Sequence, residues 1–276
     1  MNVFDGKRIY ITGGSSGIGL EIARQLASQG ADLLLFARDP KKLEDARAIV
    51  DDARGGLTRR TGVMSLDVGD NAMTVKAIGR AVKEFGPPDM IINSAGIGSA
   101  NYFEKISYDE FDRVMKTNLY GTRNVIAAAL PHMKGSGGTI VIVSSMAGFM
   151  SIFGYSAYAT SKFALIGFSE ALCSELAGRG IKVLLACPPE TDTPFLVEEN
   201  KTIPPECRAM KDIMGTLGVG YVARHIIRGI ARGKYLIMPG HVARFLYYLQ
   251  RFSPGWVSRM IADSTVKRAA RKKTSL

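Results

Sequence analysis

Thr12-Gly13-Gly14-Ser15-Ser16-Gly17-Ile18-Gly19 stands directly after an apolar, β-branched run at 8–12 and directly before a segment whose apolar residues recur at helical spacing. Glycines at such a corner let the backbone turn sharply and approach a ligand, and a helix beginning there offers unpaired amides and partial positive charge. Alone, a glycine-rich turn marks only a tight bend. Between the strand and helix of a βαβ unit it reads as a cradle for a pyrophosphate.

Outward from this corner, the first two hundred residues repeat one alternation. Runs at 8–12, 32–37, 62–67, 90–94, 139–144 and 182–187 read as strands, and segments at 17–29, 40–53, 71–85, 107–133 and 158–178 read as helices. Ser107 and Glu110 open the fourth helix as a capping box. Near-continuous apolar strands alternating with helices imply an α/β protein with a doubly wound parallel sheet covered on both faces, the Rossmann fold. From 190 to about 218 the periodicity dissolves into a polar, proline-containing stretch that starts with Phe195-Leu196-Val197, and this reads as an irregular lid beside a ligand crevice. A helix at 219–232 and a strand at 234–238 follow. Residues 241–262 carry Val242, Phe245, Leu246, Leu249 and Phe252 at helical spacing, then break at Pro254-Gly255 before Trp256, Val257, Met260 and Ile261. The expected organisation is a single domain at 1–240, lid included, with a basic amphipathic helical extension at 241–276.

Composition narrows the function classes. A length of 276 residues with 46% hydrophobic and 22% charged residues suits one globular α/β domain. Cys173, Cys187 and Cys207 are odd in number and widely spaced, and His132, His225 and His241 are scattered, which argues against a disulfide framework and a zinc site; no metal is expected. There is no charged-then-apolar leader and no apolar run of about eighteen residues, so the reading is cytoplasmic. The net charge of +11 is uneven: from Tyr221 onward twelve Lys or Arg face one acid, Asp263. A neutral body with a basic tail suggests contact with an anionic surface.

The chemistry concentrates in Ser145, Tyr158 thirteen residues later, and Lys162 four beyond that. Four residues is one helical turn, so Tyr158 and Lys162 share a face and an ammonium can sit beside a phenol. A free phenol titrates near ~10, and a neighbouring cation is expected to bring it down toward use at neutral pH. Ser145, ending a strand, can donate a hydrogen bond to a substrate oxygen held near that phenol. Cofactor choice is decided about twenty residues past the glycine loop, where a carboxylate would bind a ribose 2′-hydroxyl and repel a 2′-phosphate. Here Phe36-Ala37-Arg38-Asp39 and Lys42 put a planar donor fork, Arg38, where phosphate would lie, and NADP(H) is expected. The other reading makes Arg38 a solvated turn residue and Asp39 the ribose ligand.

These residues together resemble the short-chain dehydrogenase/reductase family. Thr12 to Gly19 is similar to its cofactor loop, which implies nucleotide contacts by Gly13, Ser15, Ser16, Gly17, Ile18 and Gly19. Asp67-Val68 resembles its adenine contact, and Asn93-Ser94-Ala95-Gly96 its Asn-Asn-Ala-Gly stretch with Ser94 for the second Asn, implying cofactor contacts by Asn93, Ala95 and Gly96. Asn118, Ser145, Tyr158 and Lys162 match the catalytic tetrad, in which a kinked helix and a water lead protons from the asparagine to the lysine. Pro188-Pro189-Glu190-Thr191-Asp192-Thr193 lies where the family has Pro-Gly-x-Val-x-Thr. That match implies that Pro188, the Thr191 backbone and the Thr193 hydroxyl meet the nicotinamide end, while Pro189 for Gly departs from the pattern. The same run through Pro194, with Glu198-Glu199-Asn200-Lys201 and Pro204, is similar to the subgroup of 3-ketodihydrosphingosine reductases, which reduce a long-chain amino ketone with NADPH.

The resemblance implies NADPH-dependent reduction of a ketone to a secondary alcohol, with a long-chain lipid ketone such as 3-ketodihydrosphingosine as substrate, a place in sphingolipid metabolism. In it Tyr158 protonates the oxygen, Ser145 steadies it, Lys162 grips the nicotinamide ribose and Asn118 completes the proton path. It also implies a homodimer or homotetramer built around 107–133 and 158–178. Two rivals stand beside it: reduction of another carbonyl, whether steroid, retinoid, acyl or small ketone, and a non-catalytic NADP(H) sensor. Sensors usually lose the tyrosine or the lysine, and both are present here. In the tail, Phe245, Tyr247, Tyr248, Phe252 and Trp256 interleave with Arg244, Arg251 and Arg259 ahead of a basic run at 267–273. This pattern suits peripheral contact with an anionic membrane, each basic residue adding about 1 kcal/mol near anionic lipid, or equally packing on a partner subunit. No recognition motif points to nucleic acid.

Overall fold

The computed structural model describes residues 2–133, 138–252 and 263–264. Its sheet opens with β1 (Arg8–Thr12) and β2 (Asp32–Ala37), joined by α1 (Gly17–Ala27). α2 (Pro40–Asp52) leads to β3 (Thr61–Ser65), and α3 (Asn71–Phe85) returns the chain to β4 (Met90–Asn93). After α4 (Tyr108–Met115) and α5 (Gly121–Ala129) come β5 (Thr139–Val143), α6 (Ser156–Ala177) and β6 (Lys182–Ala186). A two-stranded parallel ribbon, β7 (Thr191–Asp192) with β8 (Leu217–Gly218), brackets α7 (Pro194–Glu199) and α8 (Pro205–Met214). α9 (Val219–Ala231), β9 (Leu236–Ile237) and α10 (His241–Phe252) complete the described chain.

The main sheet is parallel throughout, in the order β3-β2-β1-β4-β5-β6-β9. Its strands are apolar almost without a break because each side chain has a layer to enter. Ile9, Ile11, Leu33 and Leu35 pack with α1, α2 and α9, while Tyr10, Leu34, Phe36 and Ile91 pack with α3, α5 and α6. The winding reverses between β1 and β4, whose last paired residues are Thr12 and Asn93. The loops leaving those two strands therefore diverge and open a crevice at their carboxyl ends, the place where such sheets bind ligands.

Two expected elements differ from what forms. The segment read as one helix at 107–133 is α4, a π turn at Lys116–Tyr120, α5 and a closing 3-10 turn at Leu130–His132. Ser107 caps it by accepting from the Glu110 amide at 3.1 Å, but the Glu110 carboxylate turns to the Ser99 hydroxyl at 2.8 Å, so only half of the capping box is made. The stretch read as an irregular lid is largely helical. Pro194 and Pro205 occupy the first turns of α7 and α8, where a missing amide costs nothing, so these prolines start helices. Residues of α8 rest on a small cluster formed by Ala100, Ala147, Ile152, Tyr155, Ala159 and Cys207.

α10 packs back onto the body: Gln250 Nε2 donates to the Phe149 carbonyl at 2.7 Å and the Tyr247 ring lies edge-on to Phe149 at 4.7 Å. The remainder of the expected extension, including Trp256 and the basic run at 267–273, lies outside the described residues. No helix among the described residues is long and apolar enough to cross a membrane.

Ile92 is fully buried on the central strand β4, paired in register with Ile11 and Val141. Ile92→Ala leaves a cavity that neighbouring strands cannot close, and is expected to destabilise the protein by about 2–5 kcal/mol, read as a lowered midpoint in denaturant unfolding with an unchanged slope.

Candidate active site

The glycine loop is folded on itself so tightly that a side chain has no room. A Cβ on Gly19 would lie 2.3 Å from the Gly13 carbonyl oxygen, and Gly13, at φ +67°, would put one 2.8 Å from the Ala95 nitrogen. The Thr12 hydroxyl accepts from the Ala95 amide at 3.2 Å and ties the loops after β1 and β4 together. Buried Asn93 braces this corner from behind by donating to the Val141 carbonyl at 3.3 Å. Ser16 is the N-cap of α1 and makes no side-chain cap, which leaves the helix's first amides facing the crevice, beside half-buried Ser15. Bare backbone, free amides and a helix N-terminus fit a dinucleotide pyrophosphate.

At the end of β2 the two readings of cofactor choice separate. The Asp39 carboxylate caps α2, accepting from the amides of Lys41 at 2.9 Å and Lys42 at 3.2 Å, so it is committed to the helix. Arg38 and Lys42 are exposed, and neither side chain has a hydrogen bond or ion pair among the described residues. Exposed Asp67 accepts from the Gly69 amide at 2.9 Å; Val68 is buried against Gly121, its carbonyl accepting from Asn124 Nδ2 at 3.0 Å.

The other end of the crevice is made by the loop after β5 and the first turns of α6. Tyr158 and Lys162 do share a face, with Lys162 Nζ 5.6 Å from the Tyr158 ring centroid. Lys162 is buried, donates to the Val143 carbonyl at 3.1 Å, and its own carbonyl accepts from the Ser144 hydroxyl at 3.0 Å. Ser145 accepts from the Ala147 amide at 3.1 Å, which orients its hydroxyl into the pocket. Asn118 sits in the π turn behind Lys162. Its side chain accepts from the Ile97 amide at 2.8 Å and donates to the Ile97 carbonyl at 3.0 Å and to Ser161 Oγ at 2.9 Å.

The electrostatics differ from expectation in one respect. Burial pushes the Tyr158 phenol well above its ordinary range, Glu199 pushes the same way, and a hydrogen bond with Ser145 pulls against them. Burial likewise brings the Lys162 ammonium down to about 8. In the free site desolvation outweighs the cation, and the phenol keeps its proton at neutral pH.

Of the residues singled out in the sequence, Gly13, Ser16, Gly17, Ile18, Gly19, Gly96, Ser145, Tyr158, Lys162, Pro188, Thr191 and Thr193 line one pocket. Ser15, Arg38, Lys42, Asp67, Val68, Asn93, Ala95 and Asn118 lie outside its lining, on the loops or behind the wall described above. The loop after β6 closes the pocket: a Cβ on Gly17 would come within 3.4 Å of Thr193. Tyr155, Glu190, Glu199 and Lys211, to which the sequence assigned no role in the site, also line it. One local signal was present for Tyr155, which precedes Tyr158 by three residues and is the N-cap residue of α6.

A sequence profile described as short chain dehydrogenase matches residues 7–204 of this chain. The protein belongs to the short-chain dehydrogenase/reductase family. Over 233 residues it is 37% identical to a protein of Danio rerio named 3-dehydrosphinganine reductase, covering 84% of this chain and 70% of that one. A 3-dehydrosphinganine reductase of Arabidopsis thaliana is 38% identical over 235 residues, covering 84% of this chain and 69% of that one. Among solved structures, levodione reductase superposes with a TM-score of 0.79 at 25% identity, over 87% of this chain and 99% of that one. As a short-chain dehydrogenase/reductase, the protein is an oxidoreductase that uses a nicotinamide cofactor.

Arg38→Ala removes the donor fork and leaves the Asp39 cap in place. It is expected to narrow the preference for NADPH over NADH by about 10–100-fold, the loss of a charged hydrogen bond, when the two cofactors are titrated by fluorescence.

Proposed function

We propose that this protein reduces the ketone of a long-chain amino ketone, 3-ketodihydrosphingosine, to a secondary alcohol with NADPH, and that Asn118, Ser145, Tyr158 and Lys162 carry the reaction. The observation that supports this most is the convergence of Ser145, Tyr158 and Lys162 on one pocket, continuous with the glycine cradle at one end and lined by Met150, Ile152, Phe195, Leu196 and Met214 at the other. An acid, a hydrogen-bond donor and a cation meet a nucleotide site there, and apolar walls suit an alkyl chain. The relatives named 3-dehydrosphinganine reductase support the same substrate.

NADPH, when bound, supplies the hydride. Gly13, Ser15, Ser16, Gly17, Ile18 and Gly19 would hold its pyrophosphate, Arg38 and Lys42 its 2′-phosphate, Asp67 and Val68 its adenine. Asn93, Ala95 and Gly96 would shape the wall beside it, and Pro188, Thr191 and Thr193 would meet its nicotinamide end. The Tyr158 phenol is neutral at physiological pH, the form a reduction needs, since the developing alkoxide takes a proton from it. Ser145 donates to the same oxygen. A lysine has three donors; one of Lys162's goes to Val143, which leaves two for ribose hydroxyls. With its ammonium brought to about 8, Lys162 also gives up and regains a proton readily near neutrality, so it can resupply Tyr158 from the Asn118 side.

The protein would attach peripherally to an anionic membrane through α10 and the residues after it. One side of α10 packs inward through Ala243 and Gln250; the other exposes Val242, Phe245, Tyr248 and Phe252, flanked by Arg244 and Arg251. An apolar stripe edged with arginine matches an interfacial helix, and the basic excess beyond Tyr221 matches anionic headgroups. A homodimer or homotetramer would use α4, α5 and α6, where Tyr108 and Phe163 are exposed.

Tyr158→Phe is expected to lower kcat for NADPH-dependent reduction of 3-ketodihydrosphingosine by about 100-fold or more while NADPH still binds; retention of most turnover would remove Tyr158 as the acid. Wild-type activity confined to small soluble ketones would reject the lipid substrate. Sedimentation with phosphatidylserine vesicles is expected to pellet the protein at low salt and release it at high salt, whereas no pelleting with a concentration-dependent dimer would assign the α10 face to a second copy.

A further inference from the structure

Several polar side chains that the proton and hydride chemistry does not use meet under the lid, in the same pocket. Glu199, at the end of α7, has a side chain 2% exposed; both its oxygens accept from the Tyr155 hydroxyl at 2.9 Å, and Oε2 pairs with Lys211 Nζ. Lys211, on α8 and equally buried, pairs at the same time with Glu190 Oε2. Glu190 also accepts from the Thr216 hydroxyl at 2.6 Å and lies 3.7 Å from Arg208, a partly exposed residue shared with Asp212. The buried group therefore holds two carboxylates and one ammonium. A buried charge without a full counter-charge is unfavourable, and burial holds the Glu199 carboxyl up at about 6 even though Tyr155 and Arg208 pull it down.

Position ties this cluster to the reacting end of the pocket. The Tyr155 ring, which carries Glu199's hydrogen bond, is 5.2 Å from the Tyr158 ring, and Phe195, one turn before Glu199 on α7, is 6.0 Å from it. The charge of Glu199 is felt at the Tyr158 phenol. In an amino ketone of the proposed kind the amine is on the carbon next to the carbonyl, so its partner must lie within a few ångströms of the acid that protonates the oxygen. Lys211 marks what that wall accepts: its side chain ends in a primary ammonium, the group the substrate carries, and it is seated between two carboxylates.

We propose that Glu199, backed by Glu190, is the subsite that recognises the substrate's ammonium, with Lys211 bridging the two carboxylates and offsetting their repulsion. The inference rests on the amino-ketone reading above and adds the residue that selects for the amine. A long-chain ketone without the amine would fill the apolar walls equally well and leave a carboxylate unmatched, so the preference should be large. Removing a polar group that a buried partner awaits is where binding sites discriminate most strongly.

The test compares 3-ketodihydrosphingosine with a 3-ketone of equal chain length lacking the amine, using the full chain and NADPH. Wild type is expected to favour the amino ketone at least tenfold in kcat/KM, and Glu199→Gln to reduce that ratio at least tenfold, chiefly through KM. An equal loss on both substrates makes Glu199 a latch between α7, α8 and Tyr155 and overturns the proposal. A wild type that turns over both ketones equally overturns it while sparing the reductase reading; one that turns over neither fails the reading itself. A second measurement needs no variant: a saturated long-chain primary amine should compete with the ketone on wild-type protein at least tenfold more tightly than its N-acetyl derivative, and equal inhibition by the two counts against the subsite.

Discussion

Taking an ammonium out of water is costly, and the site is organised around one for which that has been done. Lys162 is 5% exposed and, among the described residues, its side chain has a single hydrogen bond, to the Val143 carbonyl. That bond is available because β5 ends at Val143, and it is kept because the Lys162 carbonyl is itself clamped by Ser144. A Cβ on Gly148 would come within 2.8 Å of that carbonyl, so α6 lies hard against the loop after β5. On the other side Gly96 presents no side chain: a Cβ there would be 3.6 Å from Nζ and 3.3 Å from the Asn118 oxygen. The π turn, Asn118, the glycine at 96 and the end of β5 are one arrangement for holding a charge where water is scarce, and the order of the strands is what brings them together.

Much of this was readable in sequence, for a reason that also marks the limit. β1 and β2 form as read, at Arg8–Thr12 and Asp32–Ala37, because strands buried on both faces are apolar throughout and stop abruptly at a charge or a glycine corner. α3 runs at Asn71–Phe85 for a similar reason: Asp70 caps it by accepting from the Met73 amide, and Gly86 ends it at φ +94°. The break at Lys116–Tyr120 had no marker in the hydropathy pattern, since a π turn needs neither proline nor glycine and leaves the apolar period nearly intact; only the resemblance at Asn118 implied a kinked helix there. The stretch at 190–218 was misread as irregular in the opposite sense: Pro194 and Pro205 look like breakers, yet proline is at home in a helix's first turn.

The site shows the same division. Ser145, Tyr158 and Lys162 are separated by fixed spacings on one strand end and one helix, so their convergence follows from local structure. Glu190, Glu199 and Lys211 come from three segments, and what makes them notable is the burial of charge, a property that no local window of sequence contains. The choice of nucleotide falls between these cases. Arg38 and Asp39 were both visible, but only the cap that Asp39 forms on α2 separates their roles.

The same burial acts on the acid of the site. A cation beside a phenol was expected to bring the phenol toward ionisation, which would suit the oxidation of an alcohol as well as the reduction of a ketone. Instead desolvation acts on both partners, raising Tyr158 and lowering Lys162, and the negative charge of Glu199 raises the phenol further. Each effect keeps the proton on Tyr158. An acid that must give its proton to a developing alkoxide should hold it firmly until that oxygen becomes the stronger base, and the charge of Glu199 enforces this more strongly than burial alone. A substrate ammonium beside Glu199 would relax that constraint as it binds, coupling recognition of the amine to the readiness of the acid.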